Sequence, residues 1–208
     1  FILTKDCVFL NGIPFKILIF LFFICFEIKR YKNRNYYLLN YKMKDTFRHK
    51  GLRKILAENI RENGIKDERV LEMINSIPRH LFMDNAFVQF AYQDKAFPIG
   101  SGQTISQPYT VAFQTQLLQL NPHEKVLEVG TGSGYQAAVL CGLDAEVYTI
   151  ERQKELFKKT KEFLPKLGYN CSFFFGDGYK GLDKFAPFDK IIVTCGAPQI
   201  PEDLIKKW

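Results

Sequence analysis

The stretch "VLEVGTGSGYQAAVL", residues 126–140, limits the fold more than any other part of this chain. A short apolar run meets glycines at every second position and then an apolar, alanine-containing segment. A strand turning abruptly into a helix fits this order, because glycine lets the backbone bend sharply and lets another group approach the main chain. Downstream the rhythm repeats. Apolar runs at 125–128, 146–150, 171–175 and 190–194 read as strands, with helices after Tyr135 and after Gln153. Short joints between such elements predict an α/β fold with a doubly wound, mostly parallel sheet and right-handed crossovers. Ligands in that architecture bind at the carboxyl ends of the strands.

The loop itself narrows the ligand. A nicotinamide dinucleotide fingerprint would read G-x-G-x-x-G, whereas Gly130, Gly132 and Gly134 give G-x-G-x-G, with Thr131 and Ser133 between them and Glu128 ahead. An acid there would repel a pyrophosphate but would attract the ammonium of an amino-acid tail, which points to S-adenosyl-L-methionine. The second strand runs out at Glu151, 21 residues after Gly130, where a carboxylate can accept both ribose hydroxyls. After the third comes Gly176-Asp177-Gly178, with Asp177 available to an adenine amino group. A lone glycine turn or a lone strand-end acid is most often only loop geometry. Three in order at successive strand ends make a set.

Charge argues against a polyanion partner for the folded part. The chain of 208 residues carries a formal +7, yet residues 1–42 hold seven basic against two acidic side chains, leaving 22 basic and 20 acidic from Met43 onward. The five cysteines show no C-x-x-C pair and read as small apolar residues in a reducing compartment, without a metal. Residues 1–42 form a separate leader. Their apolar run from Ile17 to Phe26 is short of the roughly 18–20 residues of a membrane span, no cleavage signal follows, and the expectation is upstream, non-native sequence or a disordered, weakly hydrophobic segment, ahead of an anchor reading, with the domain at 43–208.

From Met43 the first pattern is helical. Leu52, Ile55, Leu56 and Ile60 share a face that stops at Gly64, with Asp45 or Thr46 as cap. Asp67 can cap a second helix with Val70, Leu71, Ile74 and Ile77 on one side, ended by Pro78. Residues 79–103 keep no period and read as a long ordered loop over a site, with His80 as a structural hydrogen-bonding residue. A helix then begins around Ser106 to Pro108, serine capping and proline in the first turn, and runs to about Leu120.

Taken together, "RHLFMD", "AYQDKAFPIGSGQTISQP", "VLEVGTGSGYQAAVL", "IER", "GDGYKG" and "APFDKIIVT" resemble the protein-L-isoaspartate O-methyltransferases, from about Met43 to the end of the chain. The resemblance implies a Rossmann-like, S-adenosylmethionine-dependent methyltransferase fold with an N-terminal helical preface. It implies transfer of a methyl group to the free carboxylate of L-isoaspartyl and D-aspartyl residues in flexible segments of damaged proteins. In the family the serine matching Ser106 is treated as the active-site residue, and Thr104 beside it faces the donor. The remaining donor-binding positions implied are Glu128, Gly130, Thr131, Gly132, Ser133, Gly134, Glu151, Arg152, Asp177 and Gly178. No metal, nucleic acid or membrane partner is implied, and the enzyme is expected as a cytoplasmic monomer. The acceptor, an α-carboxyl group with pKa of about 3.3 to 3.7, is already ionised at neutral pH, so no general base is required. The ester product would close to a succinimide and reopen partly as normal aspartate.

Two departures stand out. Cys195-Gly196 replaces small alanine-type residues, and the family's later glycine pair, Pro-Val-Gly strand and terminal sheet edge have no counterpart. The domain is therefore expected to be C-terminally truncated, with 190–194 left as an exposed edge that invites aggregation. Three rival readings stand beside this one: a nucleic-acid amino methyltransferase, a nicotinamide oxidoreductase and a non-catalytic donor-binding module. The first lacks its Asn or Asp, prolines and aromatic after the fourth strand, the second its glycine spacing, and sequence does not separate the third.

Overall fold

The structure, a computed structural model, describes residues 45–196 and 202–207, so the expectations for the leader lie outside the described residues. Thr46 starts the first helix, α1 (Phe47–Glu62). Its hydroxyl accepts the His49 backbone N–H at 3.3 Å, and its own N–H donates to His49 Nδ1 at 3.4 Å, a capping box closed by an imidazole. The apolar face is only partly as expected. Leu56 and Ile60 are buried, but Ile55 faces solvent and Arg53 takes a core position. Arg53 is tolerated there because Asp45 accepts from Nη1 and Nη2 at 2.7 and 3.0 Å, the Asn75 carbonyl from Nε at 2.7 Å and the Tyr92 hydroxyl from Nη1 at 3.2 Å. Hydropathy periods carry no trace of such partners.

The second helix, α2 (Glu68–Ser76), follows expectation. Asp67 accepts the Arg69 N–H, and Val70, Leu71, Ile74 and Ile77 are all buried. Residues 79–103 are more ordered than a loop. Two short 3₁₀ turns, Arg79–Phe82 and Asn85–Phe90, lead into an antiparallel hairpin of β1 (Phe97–Gly100) and β2 (Gln103–Ile105). Ser101 and Gly102, at φ 51° and 67°, form the two-residue connection, whose positive φ values suit the strand twist. Pro98 inside β1 hid that strand from pattern reasoning.

The next helix, α3 (Pro108–Leu118), opens with Pro108 in its first turn, but Ser106 is not its cap. Asp94 does that work from the preceding loop: one carboxylate oxygen accepts the Tyr109 N–H at 2.7 Å and the other accepts Gln107 Nε2 at 2.9 Å. Gln116 on α3 accepts the N–H groups of Lys66 and Asp67, tying the helical preface to the main domain.

The sheet is as predicted in class. Strands β3 (Lys125–Val129), β4 (Glu146–Glu151), β5 (Ser172–Phe175) and β6 (Lys190–Val193) lie in the order β5-β4-β3-β6, all parallel. The crossover helices are α4 (Tyr135–Gly142) and α5 (Lys154–Phe163). Alternation along the strands divides the core. Val126, Val147 and Ile192 join the helices α1 to α5, while Leu127, Val129, Tyr148 and Ile150 pack with Phe188 and Leu204, the latter on a short helix α6 (Glu202–Ile205). Among the described residues no strand pairs with the outer edge of β6, and no helix is long and apolar enough to cross a membrane. Parallel register brings Val129, Glu151, Phe175 and Val193 to one end of the sheet, and the loops leaving them converge there.

Candidate active site

The turn from β3 into α4 needs its glycines. Gly130 has φ of 106°, and a Cβ there would sit 2.9 Å from Cys195 Cβ; Gly134, with φ of 82°, caps α4 so close to α5 that a Cβ would meet Thr160 at 2.6 Å. The Gly130 and Thr131 N–H groups both donate to the Ile150 carbonyl, at 2.9 and 3.2 Å. Thr160 donates to the Gly132 carbonyl at 2.8 Å. The loop is thus braced from β4 and α5.

Glu151 belongs to both the brace and the cleft. One oxygen accepts the Gly132 N–H at 2.8 Å and the other the Gln153 N–H at 2.7 Å, leaving further lone pairs on each. A cleft of about 470 Å³ opens beside it, within the range of small-molecule sites. Its walls include Thr104, Gly130, Gly132, Glu151, Arg152, Asp177 and Gly178. Asp177 is exposed, one oxygen accepting the Tyr179 N–H at 3.0 Å, while Gly178 packs so close to Val129 that a Cβ would lie 2.3 Å from it. A smaller cavity of about 30 Å³ adjoins, lined by Thr104, Ser106, Gly130, Thr131, Gly132 and Ser133 among others. Ser106 makes no side-chain hydrogen bond among the described residues, so its hydroxyl is available to a ligand.

Four expected donor contacts lie outside the large cleft, Thr131 and Ser133 among them because they line the small cavity instead. Gly134 lies behind the loop, where it shapes the turn. Glu128 is fully buried and lines neither cavity: the Thr149 hydroxyl donates to it at 2.6 Å, and Thr149 lies 2.5 Å from the Thr131 hydroxyl. Even residues of β3 point into the helix-covered face, away from the cleft, and Glu128 is linked to the glycine loop through the Thr149 and Thr131 hydroxyls. His80 gains a partner that sequence distance concealed. Its ring lies 4.0 Å from that of His49, and its Nδ1 is 2.5 Å from the Tyr92 hydroxyl. Asp45, His49 and His80 bring ligand atoms within 4.8 Å of one another, but both Asp45 oxygens are engaged by the Arg53 guanidinium, whose charge opposes a cation.

The family model for protein-L-isoaspartate(D-aspartate) O-methyltransferase matches residues 51–208. The chain belongs to that family. Curated relatives agree: the protein-L-isoaspartate O-methyltransferases of Christiangramia forsetii and Flavobacterium psychrophilum are 64% and 61% identical, over 79% and 78% of this chain and 78% and 77% of their own lengths. Among solved structures, the putative protein-L-isoaspartate O-methyltransferase of Plasmodium falciparum, in complex with S-adenosyl-L-homocysteine, matches at 26% identity with a TM-score of 0.62, over 74% of this chain and 78% of that one. A second solved protein-L-isoaspartate O-methyltransferase matches at 29% identity with a TM-score of 0.68, and this chain covers 51% of it.

In this family member the structure also recruits residues that motif reading missed. Thr194, at the end of β6, lies 2.8 Å from the Gly130 carbonyl and 3.1 Å from that of Val129, and it lines both cavities. Its position at a fourth strand end was the available signal. Cys195 and Tyr179 complete the cleft wall.

Burial holds the Glu128 carboxyl up at about 8, well above its usual 4.5. Between those values the folded state keeps a proton that the unfolded chain has released, so stability falls as pH rises through this window, by at most roughly 1.4 kcal/mol per pH unit. Glu128→Gln is expected to flatten this dependence and to stabilise the methyltransferase near pH 8. Thermal unfolding of both proteins from pH 5 to 9 checks it, and parallel curves would count against a buried neutral acid.

Proposed function

We propose that the chain transfers the methyl group of S-adenosyl-L-methionine to the free carboxylate of L-isoaspartyl and D-aspartyl residues in damaged proteins. One observation carries the reading: the small cavity that holds Ser106 shares Thr104, Gly130, Gly132 and Thr194 with the large cleft, so a hydroxyl-bearing space adjoins a donor-sized one across a common wall. The cleft fits the donor. Gly130 and Gly178 stand where any Cβ would strike neighbouring atoms, leaving bare backbone along the wall, and Glu151 and Asp177 keep lone pairs for hydroxyl and amino donors. Buried Glu128 Oε1, which has no hydrogen-bond partner, adds negative potential beneath the loop whenever the carboxyl ionises. Thr104, Gly130, Gly132, Glu151, Arg152, Asp177 and Gly178 would surround the donor, with Thr131 and Ser133 at the adjoining small cavity and Glu128 and Gly134 supporting from behind.

When bound, the donor supplies a sulfonium methyl group for in-line transfer. The chain's contribution is positioning. The Ser106 hydroxyl orients an acceptor carboxylate that needs no deprotonation, and the common wall of the two cavities places it beside the cleft. Charge supports a protein rather than a polyanion as substrate, since the folded part has 22 basic and 20 acidic side chains. The same reading has the chain act as a monomer in the cytoplasm on flexible segments, without a metal. Labelled methyl transfer tests it: an isoaspartyl peptide is expected to accept label while its aspartyl twin and RNA do not. Equal labelling of the two peptides, or labelling of RNA alone, would sink the proposal.

A further inference from the structure

Arg79 is the largest fully buried side chain of the described residues and is 0% exposed. No carboxylate pairs with it among the described residues. Its guanidinium instead donates to three carbonyls, two in the segment before β1 and one after β2: Nη1 to Ala91 at 2.8 Å, and Nη2 to Lys95 at 3.0 Å and to Ser106 at 2.9 Å. The cation sits between the rings of Tyr135 and Phe97, at 5.7 and 6.0 Å from their centroids. Nη1 also lies 3.8 Å from Met83 Sδ, and Nε has no partner among the described residues, so the carbonyls carry most of the compensation. A buried charge held this way is costly unless its partners are fixed in place, and conversely it holds them.

We propose that Arg79 is a positioning residue for methyl transfer, acting by fixing the Ser106 backbone; this deepens the functional reading above and rests on it. Ser106 needs such an anchor because its side chain has no hydrogen bond among the described residues. The main chain therefore sets where its Cβ, and with it the reach of the hydroxyl, is placed. On one side Ile105 is buried and paired with Phe97 across the hairpin. On the other, the Ser106 carbonyl is held by Arg79 and the next residue by Asp94. The planar fork suits this task in a way an ammonium does not, since it reaches three carbonyls in a fixed geometry. Loss of the fork frees the turn, and a displacement of about 1 Å at a reacting group can cost on the order of 100-fold in rate.

The test uses the full chain with Arg79→Lys and Arg79→Met. Expected are kcat values for an isoaspartyl peptide lower by about 10-fold in Arg79→Lys and about 100-fold in Arg79→Met, with the donor Kd from calorimetry within about two-fold of wild type in both. A kcat near wild type with only a lower Tm would overturn the proposal, and so would a donor Kd that weakens in step with kcat. Should neither variant fold, NMR of the wild-type Arg79 side chain decides. Slowly exchanging Nη protons with restricted rotation would support the anchor, and a freely rotating, fast-exchanging group would refute it. Wild-type protein that leaves the isoaspartyl peptide unlabelled defeats the functional reading instead, and the NMR result is independent of that outcome.

Discussion

Ser106→Ala is expected to lower kcat for an isoaspartyl peptide by about 100- to 1,000-fold, the loss seen when one preorganised donor is removed from a reacting oxygen. The donor Kd should stay within about two-fold, because Ser106 lines the small cavity and not the large cleft. Stability should hardly change. The helix cap belongs to Asp94, and the Ser106 hydroxyl holds nothing inside the protein, so the substitution leaves no orphaned group. Single-turnover methylation, donor calorimetry and a melting curve separate these readouts. A fully active variant removes Ser106 from the reaction, whereas equal losses in kcat and donor binding would mean that the two cavities act as one site.

Glu151→Ala should do the reverse. Both carboxylate oxygens bind backbone N–H groups, of Gly132 in the glycine loop and of Gln153 at the start of α5, so the change strands two donors and removes the acceptor facing the cleft. Hydrogen bonds to a charged group contribute about 1.5 to 3 kcal/mol each, so losing the loop brace and one ligand contact predicts donor affinity weaker by at least about 100-fold. Turnover at saturating donor should fall far less, as Ser106 stays where Arg79 and the hairpin hold it. Calorimetry on the variant checks the first part and kcat at high donor concentration the second. Unchanged affinity would exclude Glu151 from the donor site. The pair of variants thus forms a double dissociation between the two cavities.

Much of the site was legible because it lies at strand ends, where chain order and space coincide. Gly130, Glu151 and Asp177 follow three successive strands, and parallel pairing brings those ends together without further information. Glu128 shows where that logic stops. Its place ahead of the glycines is plain in the order of residues, but the face it occupies is not: strand alternation turns it from the cleft, and burial leaves it protonated until about pH 8. The hairpin of β1 and β2 was missed for a related reason: three- and four-residue strands with an internal proline carry too little pattern to stand out from a loop.

The amino-acid order alone determined the sheet, its parallel sense, the glycine turn and the strand-end acids, because periodicity and glycine placement are local properties of the backbone. Tertiary structure decided what surrounds Ser106. Arg79 binds its carbonyl from 27 residues away, Asp94 relieves it of capping, and Thr194 closes the loop from the last strand. Each is a polar contact between segments distant in sequence, whose free energy depends on burial and geometry that no local pattern encodes.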